Sequence, residues 1–102
     1  MRPDPDEGVA ELWMDALRGP LVLRPWKEGD RLAPLGMKGH QLVSDILTQR
    51  KVPATARAGQ WVIETGEGLL AWLAGHRIDR RAALPADPTG GRILRLEWRP
   101  TG

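Results

Sequence analysis

The sequence predicts an α+β fold: a small, mainly antiparallel β-sheet or half-barrel of about five strands, covered by one or two helices. Three observations lead there. Two β-rich runs, "WVIET" (61–65) and "LLAWLAG" (69–75), are separated by "GEG" (66–68), and a three-residue glycine-containing link between such runs is a hairpin signal. One stretch, "QLVSDILTQRK" (41–51), has clear helical periodicity, with Leu42, Val43, Ile46 and Leu47 on one face. Strands do not alternate with helices in a βαβ rhythm, so hairpin connections dominate. At 102 residues the chain makes one domain, with a single modest core burying roughly 60–70% of its unfolded surface.

The elements follow in order. Residues 1–8, "MRPDPDEG", are polar and acidic; they read as a disordered lead-in to a domain spanning 9–99, and not as a signal peptide. "VAELWMDA" (9–16) alternates, with Ala10, Leu12 and Met14 on one face, and is expected as a strand. Arg18-Gly19-Pro20 marks a turn. "LVLRPW" (21–26) is a second strand, ended at or just after Pro25. A loop is expected over 27–40. The helix stops at Val52-Pro53, because a residue before proline disfavours the α region; Arg50 and Lys51 in its last turn complement the macrodipole. "ATARAGQ" (54–60) is a short helical turn or a loop. In the hairpin, 69–75 is apolar on both faces, so it is expected as a central, covered strand. "HRIDRR" (76–81) leaves it carrying charge, and "ALPADPTGG" (83–91) is rich in turn residues. "RILRLEWR" (92–99) sets Leu94, Leu96 and Trp98 against Arg95, Glu97 and Arg99, the pattern of a strand with one exposed face.

Composition narrows the function. There is no cysteine, hence no disulfide and no thiolate metal site, which fits a reducing cytoplasm. The two histidines, His40 and His76, lack ligand spacing, so no metal site is expected. No apolar run approaches the ~20 residues of a membrane span. The only serine, Ser44, falls inside the helix, so no Ser-His-Asp constellation is suggested. The glycines form neither a Walker motif nor a dinucleotide fingerprint. No catalytic residue and no cofactor are therefore expected within this chain.

Charge is uneven. The net value of +2 combines an acidic start, with five acids and one base in residues 1–15, and a basic remainder with fourteen bases and eight acids. Twelve of the fifteen bases are arginine, whose planar fork suits phosphate and also stacks on flat rings. A solvated arginine-rich surface and a nucleic-acid-binding surface both fit this composition.

The loop sharpens the choice. "RPWKEGDRLAPLGMKG" (24–39) holds four basic residues, two acids, three glycines and two prolines, with no helical or strand period. Arg24, Lys27, Arg31 and Lys38 supply charge. Gly29, Gly36 and Gly39 permit positive φ and close approach of backbone to a ligand, and Pro34 and Asp30 shape turns. A phosphate-binding loop and a purely structural turn, with Asp30 paired to Arg31 or capping, remain equally open on composition. Trp26, ending a strand, and Met37 are expected to anchor the loop in the core. Trp72 is expected in the core, and Trp61 is ambiguous. Arg57 has no structural reason visible in sequence; Arg77, Arg80 and Arg81 either extend a basic strip or solvate a strand exit.

An ordered set of motifs then resembles one family. Arg24, Gly29-Asp30-Arg31, Pro34, Gly36-Met37-Lys38-Gly39, Ser44-Asp45, Lys51-Val52-Pro53, Arg57 and Gly75-His76-Arg77-Ile78 are similar, over about residues 20–80, to the C-terminal domain of bacterial tRNA(Ile)-lysidine synthetase. The resemblance implies a parent enzyme that adenylates the wobble cytidine of a minor isoleucine tRNA using ATP and magnesium, after which lysine displaces AMP to give lysidine. That chemistry belongs to an N-terminal PP-loop domain with a Ser-Gly-Gly-x-Asp-Ser motif, which is absent here. The implied role of this chain is tRNA recognition at the acceptor stem, with the PP-loop catalytic domain as its second partner. The implied RNA-binding residues are Arg24, Lys27, Arg31, Lys38 and Arg57, followed by Arg50, Lys51 and Arg77. The rival expectation is a non-catalytic protein-interaction module, packing on its parent or dimerising through an edge strand such as 92–99.

Overall fold

The structure, a computed structural model, describes residues 8–98. Along the chain come β1 (Val9–Trp13), a 3-10 turn (Met14–Ala16), β2 (Val22–Pro25), β3 (Arg31–Leu32), β4 (Gln41–Leu42), α1 (Val43–Gln49), α2 (Ala54–Arg57), β5 (Trp61–Glu64), β6 (Leu70–Leu73), β7 (Arg77–Ile78), a second 3-10 turn (Arg80–Ala82) and β8 (Ile93–Glu97). They form three sheets: β1-β8, β2-β5-β6-β7 and β3-β4. Every strand pair is antiparallel, so the α+β class and the antiparallel character agree with the sequence. There are more strands than the five expected. The extra ones, β3, β4 and β7, have two residues each, too few to leave a period in the sequence. They lie in segments read as loop, helix start and strand exit.

The hairpin forms at the expected place. The Thr65 N–H donates to the Leu69 carbonyl at 2.9 Å, closing a loop over 66–68. The Thr65 hydroxyl accepts from the N–H groups of Glu67 and Leu69 at 3.3 and 3.2 Å, and Gly68 takes φ +85°, a backbone that glycine adopts without strain. β6 is buried along its whole length, as a strand apolar on both faces requires.

Apolar residues pack on both sides of the central sheet, giving two clusters where one core was expected. Leu32, Val43, Ile46, Leu47, Val62, Leu70 and Leu73 form one, with Trp26 and Val52 at its margin. Ala10, Leu12, Ile63, Ala71, Trp72, Ala74, Ile78 and Ala82 form the other. The final strand lays Leu94, Leu96 and Trp98 against this second cluster, the face predicted for it. β1 and β8 pack on one face of the central sheet, while α1 and β3 pack on the other.

Boundaries moved for local reasons. β1 stops at Trp13 and Met14 begins a 3-10 turn, with the Met14 N–H reaching the Arg92 carbonyl at 3.0 Å. α1 ends at Gln49, so Arg50 caps it and Lys51 lies beyond it at φ +58°. The Lys51 and Val52 N–H groups return to the carbonyls of Thr48 and Leu47 at 3.0 and 2.9 Å, a Schellman-type ending. The two basic residues thus form the helix stop, not its last turn. Of the expected lead-in, 1–8, only Gly8 falls within the described residues; its carbonyl accepts from the Trp98 N–H at 2.6 Å. Arg99, expected in the final strand, lies outside them.

One glycine is required by packing. A Cβ on Gly91 would overlap the Trp13 ring, which lies over the glycine at the entry to β8. Gly91→Ala is expected to lower stability by about 1–3 kcal/mol, read as a reduced urea midpoint at unchanged m-value. An unchanged midpoint would show that the Trp13 ring swings away freely.

Candidate nucleic-acid interface

The loop from β2 to β4 is set by two carboxylates. The first is Asp30, 8% exposed. The Arg24 guanidinium donates to it twice, at 2.9 and 3.0 Å, and its Nε donates to Glu64 Oε1 at 2.8 Å. Asp30 also accepts the Lys27 N–H at 2.9 Å, while its own N–H returns to the Lys27 carbonyl at 3.1 Å. Burial would raise this carboxyl, but the Arg24 and Lys27 hydrogen bonds outweigh burial and hold it below the usual aspartate range. The same pairing raises Arg24 above the ordinary arginine value. Asp30 thus pairs with Arg24, not with Arg31. Its carbonyl accepts the Val43 N–H at 2.9 Å, which satisfies one of the free N–H groups in the first turn of α1, where no side chain caps the helix.

The second carboxylate is Asp79, fully buried. It accepts the Ala33 N–H at 2.8 Å from the loop. Arg81 donates to it through its backbone N–H at 2.8 Å and through its guanidinium at 2.9 and 2.7 Å. Burial would again raise this group; the Arg81 guanidinium and the two N–H donors reverse that and lower it. Around it the backbone pairs Pro34 with Asp79, the Arg80 N–H donates to the Ala33 carbonyl at 2.7 Å, and the Leu35 N–H donates to the Ile78 carbonyl at 3.0 Å. The Arg80 guanidinium crosses the tip, donating to the carbonyls of Met37 and Gly39 at 2.9 and 3.1 Å.

The sequence-predicted basic residues separate into two groups. Arg24 is half-buried and engaged by carboxylates. Arg57 is half-buried too, donating to the Val52 carbonyl at 3.2 Å and to the Thr48 hydroxyl at 3.0 Å; these bonds supply the structural reason that the sequence lacked. Lys27, Arg31 and Lys38 are exposed, and no hydrogen bond or ion pair engages their side chains among the described residues. Lys51 is exposed, and Arg50 and Arg77 are half-buried. Gly29, Gly36 and Gly39 take φ of +91°, +85° and +74°, with open space where a side chain would project. Their positive φ is the requirement met within the fold, and Pro34 is buried beside them.

Trp26 anchors the loop as expected: its Nε1–H donates to the Arg57 carbonyl at 2.7 Å and its backbone N–H to the Gln60 carbonyl at 3.1 Å. Met37 does not. It is 48% exposed, because Leu32, Ala33 and Pro34 already fill the core beneath the loop. Trp72 lies in the core, and Trp61 is half-buried, its ring centroid 6.2 Å from that of Trp98. Sequence reasoning missed Asp79 as a loop anchor; the only local sign was an Asp two residues before an arginine, an N-cap pattern for the turn at 80–82. Among the described residues no three metal-ligating side chains group together, and no helix is long and apolar enough to cross a membrane.

Comparison with known proteins decides the family: residues 21–98 match the TilS substrate C-terminal domain. The chain belongs to this family. It is 36% identical over 86 residues, 84% of its length, to the tRNA(Ile)-lysidine synthase of Parabacteroides distasonis, covering 19% of that protein. Over 69 residues it is 42% identical to the enzyme of that name from Lactiplantibacillus plantarum, covering 68% of this chain and 15% of that one. The chain thus spans under one fifth of the length of these curated relatives. A crystal structure of a TilS C-terminal domain superposes with TM-score 0.78 at 21% identity, over 94% of this chain and 73% of that one. An N-terminal fragment of the phenylalanyl-tRNA synthetase β-subunit from Pyrococcus horikoshii shares the fold, with TM-score 0.68 at 13% identity, over 85% of this chain and 26% of that one.

The carboxylates make stability pH-dependent. Asp30 and Asp79 both titrate below their unfolded value when folded, so their stabilisation is complete above about pH 4 and is lost as pH falls through the folded values. Asp79→Asn is expected to lower stability by about 1–3 kcal/mol at pH 7, with the difference from wild type shrinking toward pH 3 in urea titrations. A difference that stays constant with pH would show that the charge contributes nothing.

Proposed function

We propose that this chain is the tRNA-binding module of a tRNA(Ile)-lysidine synthetase. It engages the acceptor stem of the minor isoleucine tRNA in the bacterial cytoplasm. A separate PP-loop domain, using ATP with magnesium and then lysine, converts the wobble cytidine to lysidine. No chemical step falls to the residues of this chain. The observation that carries the reading is where much of the family's motif lies: on a loop fixed by carboxylates, whose exposed Lys27, Arg31 and Lys38 side chains make no hydrogen bond or ion pair among the described residues, although the Lys27 charge also acts on Asp30.

The physics suits that role. An A-form stem presents phosphates, 2′-hydroxyls and a shallow minor groove. Cations on a fixed loop match spacing and shape, and most such contacts position the RNA rather than read its bases. Lys27, Arg31 and Lys38 form the leading contact set; Arg57, Arg50, Lys51 and Arg77 extend it. Arg24 acts as a positioning residue through Asp30.

Fluorescence anisotropy with a tRNA acceptor minihelix tests this directly. Affinity is expected to fall as salt rises, and Arg31→Ala should weaken binding while flattening the log–log slope by about 0.7–0.9. A folded chain with no salt-dependent RNA binding would remove direct RNA contact from the account.

One feature favours a second reading, a module that packs on its parent enzyme or on a second copy. Among the described residues β2 pairs only with β5, and Leu21, Val22 and Leu23 on and beside it are 37%, 49% and 48% exposed. Sheets ordinarily guard such an edge with charge or proline; here Arg24 and Pro25 sit at the end of β2, with Arg24 turned to Asp30 and Glu64, and leave 21–23 apolar. This edge is more apolar than the free edge at β8 (Ile93–Glu97), which carries Arg95 and Glu97. Sedimentation across a concentration series is expected to show self-association that Val22→Lys abolishes; a wild-type monomer throughout excludes the homodimer.

A further inference from the structure

The tip of the β3–β4 loop holds two large apolar side chains away from the core. Leu35 and Met37 are 52% and 48% exposed. They flank Gly36, whose φ of +85° suits the third position of a turn closed by the Met37 N–H on the Pro34 carbonyl at 3.1 Å. The backbone beneath them is pinned by the Leu35 N–H, by the Pro34–Asp79 bridge and by both Arg80 bonds. Rigid, exposed and apolar is an unusual combination for a loop, since loops are ordinarily polar and mobile.

The surrounding charge says what the tip meets. From Arg31 to Ser44 the sequence has Arg31, Lys38 and His40 and no acidic residue, and Arg80 adds a guanidinium against the tip. A protein partner buries apolar side chains without needing basic side chains beside them. The minor groove of an A-form duplex suits such a basic rim, because it is wide and shallow, displays base edges and ribose 2′-hydroxyls, and is bordered by phosphates.

We propose that Leu35 and Met37 pack on ribose faces in the minor groove of an RNA duplex, while Arg31 and Lys38 take the flanking phosphates. This inference rests on the tRNA-binding reading above and adds a salt-independent share of the affinity, carried by side chains that have no charge.

The test titrates an RNA acceptor minihelix against wild type, Lys38→Ala, Met37→Leu and the double variant Leu35→Gln/Met37→Gln at several salt concentrations. The double variant is expected to bind about tenfold more weakly at every salt, with the wild-type log–log slope and an unchanged thermal midpoint. Met37→Leu is expected to keep wild-type affinity, and Lys38→Ala to flatten the slope. A DNA duplex of the same sequence has a narrow, deep minor groove and is expected to bind at least about tenfold more weakly. Wild-type affinity in the double variant would overturn this inference and leave the tRNA-binding reading standing. A flattened slope in the double variant would overturn it as well, by showing that the change acts through the cations. Absence of RNA binding by wild type would overturn both.

Discussion

The buried Asp79 carboxylate is the constraint on which the loop depends. A charge removed from water is tolerated only when nearly every lone pair is used. Asp79 meets that demand by drawing donors from two places: its own 3-10 turn, through Arg81, and Ala33, 46 residues earlier. The chain therefore cannot bury Asp79 without bringing the 31–40 segment against the end of β7. Satisfying one polar group decides where a whole loop lies.

Asp30 does the corresponding work at the other end. It gathers Arg24 from β2, the Lys27 turn and, through its carbonyl, the start of α1. Glu64 on β5 completes the pairing. The loop is thus clamped twice by carboxylate and arginine, each time onto the central sheet. Its rigidity comes from charge pairing, since the large apolar side chains at its tip contribute nothing to the core.

What was legible in the sequence was whatever rests on neighbours in sequence. The hairpin at 61–73, the covered strand β6 and the inward face of β8 follow from alternation and turn chemistry, and all three stand where expected. The same local signals found the helix but not its last residues, because its ending depends on Lys51 taking φ +58°, which no period announces. The loop was legible as a loop and its motif order as a family resemblance. Its wiring was not, because Arg24 to Glu64 spans 40 residues and Ala33 to Asp79 spans 46. Met37 was misplaced for a related reason. Hydrophobicity argues for burial, but whether space exists beneath a residue is settled by Leu32, Ala33 and Pro34, whose packing becomes visible only in three dimensions.

The arginines differ in a way that formal charge conceals. Arg24 and Arg81 face carboxylates and are largely neutralised by them. Arg57 and Arg80 donate to carbonyls and a hydroxyl, which are uncharged. They keep their full positive charge while their rotamers are already fixed. An anion arriving beside either one meets a cation that has little conformational freedom left to lose, so the ordering cost of association was met when the chain folded. In this domain, folding does part of the work that binding would otherwise have to do.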